Sequence, residues 1–194
     1  MAQTFTRLKK ILSVDEFNEL CRKVALEYAD SVEYYSADYF CKRYDITKSC
    51  FQKMIDYAIV NNLISDNTVN RMMNKAIANQ RRHCKTAGIT TIEKYARLQN
   101  ERTENFQREI AIFFVNNPDK TKKELARIKG LTIKEFDWNL VRAIEDNVVS
   151  DEIVDSIEER SIKNAKPGTE ENTKVFFEGM RKKREANKKG VALN

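Results

Sequence analysis

Little in this chain breaks a helix: it has two prolines and five glycines in 194 residues. So few turn-forming residues predict a fold that is almost wholly helical. There is one histidine, His83, and neither a glycine-rich phosphate loop nor a nucleophile motif occurs. With so few groups for catalysis, the chain is expected not to be an enzyme and to need no cofactor. The four cysteines, Cys21, Cys41, Cys50 and Cys84, include no C-x-x-C pair, so the usual zinc and redox spacings are missing. Cys41, Cys50, His83 and Cys84 could converge on a metal in principle. Cys41, however, falls at a small core position of the motif described next, so no metal site is assigned and the thiols are read as buried and free. No apolar run is long enough to cross a bilayer, and the first residues, MAQTFTRLKKIL, lack the apolar core and cleavage site of a secretion signal. The expected location is cytoplasmic, with no membrane partner.

What the chain does contain is one pattern written twice. Between Thr121 and Asn147 runs L-A-x-x-x-G-L-T-x-x-x-F-x-x-x-L, from Leu125 to Leu140. Ala126 is small where two helices approach, and Gly130 suits a turn that needs positive φ. Leu131, Phe136 and Leu140 fill the angle between the helices, and Thr132 can N-cap the second. The pattern resembles the helix-turn-helix of DNA-binding proteins, whose second helix enters the major groove. Sliding back by about 85 residues gives Ser36 to Asn62. Phe40, Cys41, Asp45, Ile46, Thr47, Phe51 and Ile55 then fall on Leu125, Ala126, Gly130, Leu131, Thr132, Phe136 and Leu140. The match continues from Asn62-Leu63-Ile64-Ser65-Asp66 to Asn147-Val148-Val149-Ser150-Asp151. The expected fold is therefore all-α: two repeated helix-turn-helix modules joined by a long central helix, with a C-terminal helical appendage.

Local signals set the boundaries. Residues 1–12 read as a short, frayed lead, and Ser13 with Glu16 forms a capping-box pattern that opens a helix to about Ala29. A helix from Ser65-Asp66 carries Val69, Met72 and Met73 inward. Gly88 marks a break, after which a long helix spans Thr90 to Asn116 and stops before Pro118. An acidic helix follows the second motif, with Asp151, Asp155 and Glu158 on one face as a solvated stripe. Lys166-Pro167-Gly168 is a hinge, and one more helix runs from Glu170 to about Ala186. The expected domains are 1–88, 89–165 and a C-terminal helix and basic tail at 166–194.

The net charge of +6 permits a polyanionic partner. Its distribution separates the copies: Ser36 to Lys85 holds nine Lys/Arg against four Asp/Glu, whereas Asp119 to Lys163 holds nine against eleven. On the second helix of the first motif, Thr47, Lys48, Ser49, Gln52, Lys53 and Asp56 point away from the core. Lys and Gln can read guanine and adenine edges, and hydroxyls can hold phosphates. Arg71, Lys75, Gln80, Arg81, Arg82 and Lys85 extend the positive surface along the next helix for phosphate contact. The plain alternatives are a helical corner that never meets DNA and a solvated basic face. In the second copy the outward residues are Ile133, Lys134, Glu135, Asp137 and Trp138, which suit a protein surface or an interior better than a phosphate backbone.

The segment from Lys163 to Arg184, a hinge followed by an apolar helix and a basic cluster, resembles the C-terminal part of some phage small terminase subunits. That resemblance implies a helix-turn-helix that binds viral DNA and helical segments that assemble a ring. It would make Thr47 to Lys53 the DNA-reading segment and give Phe176, Phe177 and Met180 to a protein partner, for which the outward Trp138 of the second motif is a further candidate. The expectation is a non-enzymatic duplex DNA-binding protein of a phage or bacterium, in a homo-oligomer, with packaging initiation as its concrete role. A transcriptional regulator, or a helical adaptor or inhibitor that binds another protein, are the alternatives.

Overall fold

The structure is a computed structural model that describes residues 2–31, 36–81 and 87–191, with side chains throughout except at 79–81, 87–91 and 189–191. It is all-α. Among the described residues there is no strand, and one isolated bridge joins Gln3 and Ile46. The described residues form ten helices: α1 (Phe5–Ile11), α2 (Val14–Asp30), α3 (Ala37–Arg43), α4 (Lys48–Val60), α5 (Asp66–Arg81), α6 (Ala87–Val115), α7 (Lys122–Ile128), α8 (Ile133–Glu145), α9 (Asp151–Lys163) and α10 (Glu170–Val191). No helix among the described residues is long and apolar enough to cross a membrane. The chain divides into two compact units, Met1–Thr103 and Glu104–Asn194.

In the first unit, α2 lays Phe17, Cys21, Val24 and Ala25 against α4, which contributes Phe51, Met54, Ile55, Ala58 and Ile59. Val69 and Met72 of α5 close the core on one side, and Tyr95 and Leu98 from the start of α6 join it. In the second unit, Ile110, Ala111 and Phe114 from the end of α6 meet Leu125 of α7, Phe136, Leu140 and Ile144 of α8, and Val154 and Ile157 of α9. Phe177 and Met180 of α10 complete that core.

The two turns have matching backbone geometry. Asp45 and Gly130 hold φ of 47° and 67°, and Ile46 and Leu131 each return an N–H at 2.9 Å to a carbonyl of the preceding helix, Cys41 O and Ala126 O. Asn62 and Asn147 hold φ of 57° and 58° where α4 and α8 end. Gly, Asp and Asn tolerate this left-handed region better than other residues, so short polar side chains serve in place of glycine at three of the four positions.

Three boundaries differ from the expectation. Residues 5–11 form a capped helix with Leu8 buried, and the Gln3 backbone pairs with Asp45 O (2.7 Å) and Thr47 N (3.1 Å). The supposed lead is therefore tied to the first turn. Gly88 lies inside α6, because a glycine within a long helix costs only about 1 kcal/mol and flanking turns carry it. Helix α10 extends to Val191 rather than Ala186.

Capping boxes start α2, α7 and α8: Glu16, Glu124 and Glu135 each accept the backbone N–H of the N-cap residue, at 2.9, 2.8 and 2.8 Å. Hydrogen bonds to the side chain and backbone of the cap hold all three carboxyls below the usual glutamate range. A carboxyl depressed in the folded state stabilises above its unfolded pKa, about 4.3. That contribution is lost as pH falls through the folded value. Glu135→Gln keeps a capping-box side chain but does not titrate. Thermal melts from pH 7 to pH 3 are expected to show a melting-temperature deficit for the variant at neutral pH that shrinks below pH 4. A constant deficit would contradict the linkage.

Candidate nucleic-acid interface

The first unit presents one polar helix face, and Thr47 starts it. Its hydroxyl accepts the Cys50 N–H at 3.1 Å, which satisfies one of the donors left open at a helix start. That capping bond and the half-buried position of Thr47 make it a positioning residue first. Along the next turn and a half, Cys50, Phe51, Met54 and Ile55 point inward, so Lys48, Ser49, Gln52 and Lys53 are left exposed on the other side. Lys48 lies 3.4 Å from Asp38, in an exposed pair that water screens and that a stronger anion can displace. Gln52 donates to Asp56 at 2.9 Å, and Asp56 in turn takes Lys94 of α6 at 2.9 Å. Lys94 thus borders this face. Sequence reasoning missed it because it lies in the long helix, far from the motif in the chain.

The positive surface proposed along α5 is only partly available. Arg71 pairs with Asp30. Lys75 is buried: its ammonium donates to Tyr28 O at 2.9 Å, Ser31 O at 3.2 Å and the Ser31 hydroxyl, and it lies 4.5 Å from the Tyr28 ring centroid. It closes the end of α2 instead of facing a phosphate. Arg81 ends α5 with its side chain outside the described residues, and Arg82 lies outside them altogether, as do His83, Cys84 and Lys85.

On α8 the corresponding surface is different in kind. Ile133 and Trp138 are 45% and 54% exposed, and Arg142 lies 5.7 Å from the Trp138 ring centroid. Glu135 is committed to its cap, and Asp137 pairs with Lys122 at 2.8 Å. In α10, Phe176 is exposed while Phe177 and Met180 are core residues, so only Phe176 of the three is open to a partner. The acidic row of α9 is exposed at Asp151 and Asp155, as a solvated stripe would be, but it is also paired with α10. Arg181 of α10 reaches Asp155 at 2.6 Å and Glu158 at 2.5 Å, and Arg184 and Lys188 take Asp151 at 2.9 and 3.3 Å. The basic cluster of the tail thus neutralises α9, which depresses the Asp151 carboxyl and raises the Arg181 guanidinium.

No family model, curated protein or solved structure matches this chain. Its function is therefore argued from its own side chains. Among the described residues no three His, Cys, Asp or Glu side chains come together as a metal site would require. Burial pushes the Cys21 and Cys50 thiols up to about 12 and about 11, well away from the thiolate that metal binding or nucleophilic chemistry needs. Cys41 is half-buried rather than fully enclosed.

Proposed function

We propose that this is a non-enzymatic duplex DNA-binding protein that reads DNA with the outer face of α4. One observation carries the reading: the first two turns of α4 expose Lys48, Ser49, Gln52 and Lys53 together, on a helix whose opposite side is the core of its unit. A rigid helix with that side-chain set suits a major groove, where Lys and Gln find donors and acceptors on base edges and hydroxyls reach the backbone. Arg71 adds a phosphate contact if DNA displaces Asp30. Packaging initiation, the role implied by the small-terminase resemblance, is the concrete task proposed. A discrete ring in solution would support it, and a dimer would favour a transcriptional regulator.

The test is binding of the full chain to a random 30-base-pair duplex across a salt series. Affinity is expected to fall steeply with salt, and Lys53→Ala is expected to reduce the slope by about 1, the signature of one lost phosphate contact. Lys53→Glu is expected to weaken binding by about tenfold or more at low salt. Absence of binding at low salt would overturn the DNA reading. The second reading, a protein-binding adaptor, draws on the exposed Ile133 and Trp138 of α8. Unchanged DNA affinity in both Lys53 variants would favour it.

A further inference from the structure

The second unit has a half-open cavity of about 830 Å³ between α6, α7, α8, α9 and α10. That is within the range of small-molecule sites. Its walls include the apolar side chains of Phe114, Leu140, Ile157, Phe177 and Met180, and Arg160 lines it as well. Arg160 is nine-tenths buried. Its Nη2 donates to Lys120 O at 2.5 Å, and the group lies 3.9 Å from the Phe114 ring centroid. Nε and Nη1 have no hydrogen-bond partner, and among the described residues no carboxylate pairs with the charge; Asp119 acts on it from beyond ion-pair distance.

A buried charge with open donors is costly unless something satisfies it. The first unit shows what a satisfied cation looks like here. Lys75, which falls on Arg160 when the sequence is slid by 85 residues, also sits over an aromatic ring, Tyr28, and its ammonium donates to the end of α2. Arg160 differs in that its Nε and Nη1 have no hydrogen-bond partner, in a residue that lines a cavity.

We propose that this cavity binds a small organic monocarboxylate with an apolar body. The charges lining it are Arg160, Lys120 and Lys122 against Asp119 and Asp137, three against two, so the wall carries one net positive charge. Lys122 is already paired with Asp137. A single carboxylate matches that balance, whereas a phosphate dianion would leave a charge unmatched beside Asp119. Carboxylate and guanidinium geometries suit each other, so a carboxylate admitted by a small shift of the Arg160 side chain would meet its unpartnered Nε and Nη1. The apolar walls take the rest of the molecule.

Calorimetric titration of the full chain with octanoate and with octanol tests this. Octanoate is expected to bind once per chain, about tenfold or more tighter than octanol. In Arg160→Met that preference is expected to fall to within about twofold. The exposed Asn172, which also lines the cavity, provides a second variant should Arg160→Met fail to fold. Asn172→Trp is expected to weaken octanoate binding by about tenfold by filling the space. Failure of octanoate to bind, equal binding of the two ligands by the wild type, a retained preference in Arg160→Met, or unweakened octanoate binding by Asn172→Trp would each overturn the proposal. The measurement involves no nucleic acid, so its failure leaves the DNA reading standing.

Discussion

Phe136→Ala is expected to destabilise the second unit by about 3 to 5 kcal/mol, the range for removing a buried aromatic ring. Phe136 is fully buried, lies 6.3 Å from the ring of Phe114 and belongs to a core drawn from five helices. Small domains have only about 5 to 15 kcal/mol in total, so a loss of this size moves the unit close to its unfolding midpoint. The only tryptophan, Trp138, lies in α8. Urea unfolding followed by its fluorescence is therefore a report on this unit. The midpoint is expected to shift down strongly in the fluorescence trace. Duplex binding at low temperature is expected to persist, because α4 draws on a separate core. Loss of DNA binding in Phe136→Ala, with the first unit still folded, would move the interface away from α4.

Arg184→Met is expected to cost about 3 kcal/mol and to loosen α10 before the rest of the second unit. Its side chain is 5% exposed and donates to Ile144 O at 3.1 Å, Val149 O at 2.6 Å and Asp151 at 2.9 Å. These bonds close the carbonyl end of α8 and the start of α9 at once. A charged donor to each buried carbonyl contributes about 1.5 to 3 kcal/mol. The three bonds share one side chain, so they do not add fully. Methionine keeps the length and apolar stem but leaves the carbonyls unmet. Hydrogen exchange is expected to rise first in the α10 amides, ahead of α8 and α9. A uniform rise across the unit would mean that α10 opens only with global unfolding. Arg102 plays the matching part in the first unit, donating to Asn62 at 2.5 Å and lying 3.2 Å from Asp66.

The similarity in sequence between the two motifs has parallels in the packing around them. Tyr95, Leu98 and Arg102 of α6 do for the first unit what Phe177, Met180 and Arg184 of α10 do for the second. Likewise Val24, Ala25 and Tyr28 of α2 correspond to Ile110, Ala111 and Phe114 at the end of α6. The two ends of α6 thus belong to different cores, and the division falls at Thr103 and Glu104 inside a helix rather than near Gly88. No break in composition marks it, because a continuous helix needs no turn residue there. The polar middle of α6, Gln99 to Asn105, is the only local trace of the change.

The sequence by itself determined the all-helical class, the helix starts and the two tight turns. Each depends on neighbours in the chain: a capping hydroxyl three residues from its carboxylate, an apolar face at helical spacing, or a Gly, Asp or Asn where φ turns positive. It also separated the polar face of α4 from the mixed face of α8, since outward positions follow from the inward ones. Only the tertiary structure decided what the charged residues do. Lys75 read as a surface cation, yet it lies within its unit, as does Arg160. The acidic row of α9 read as a solvated stripe, yet Arg181 and Arg184 of α10 pair with it. A long flexible cation can cover apolar surface and reach a carbonyl many residues away. Where its charge ends up is thus set by how the helices pack, which local periodicity does not record.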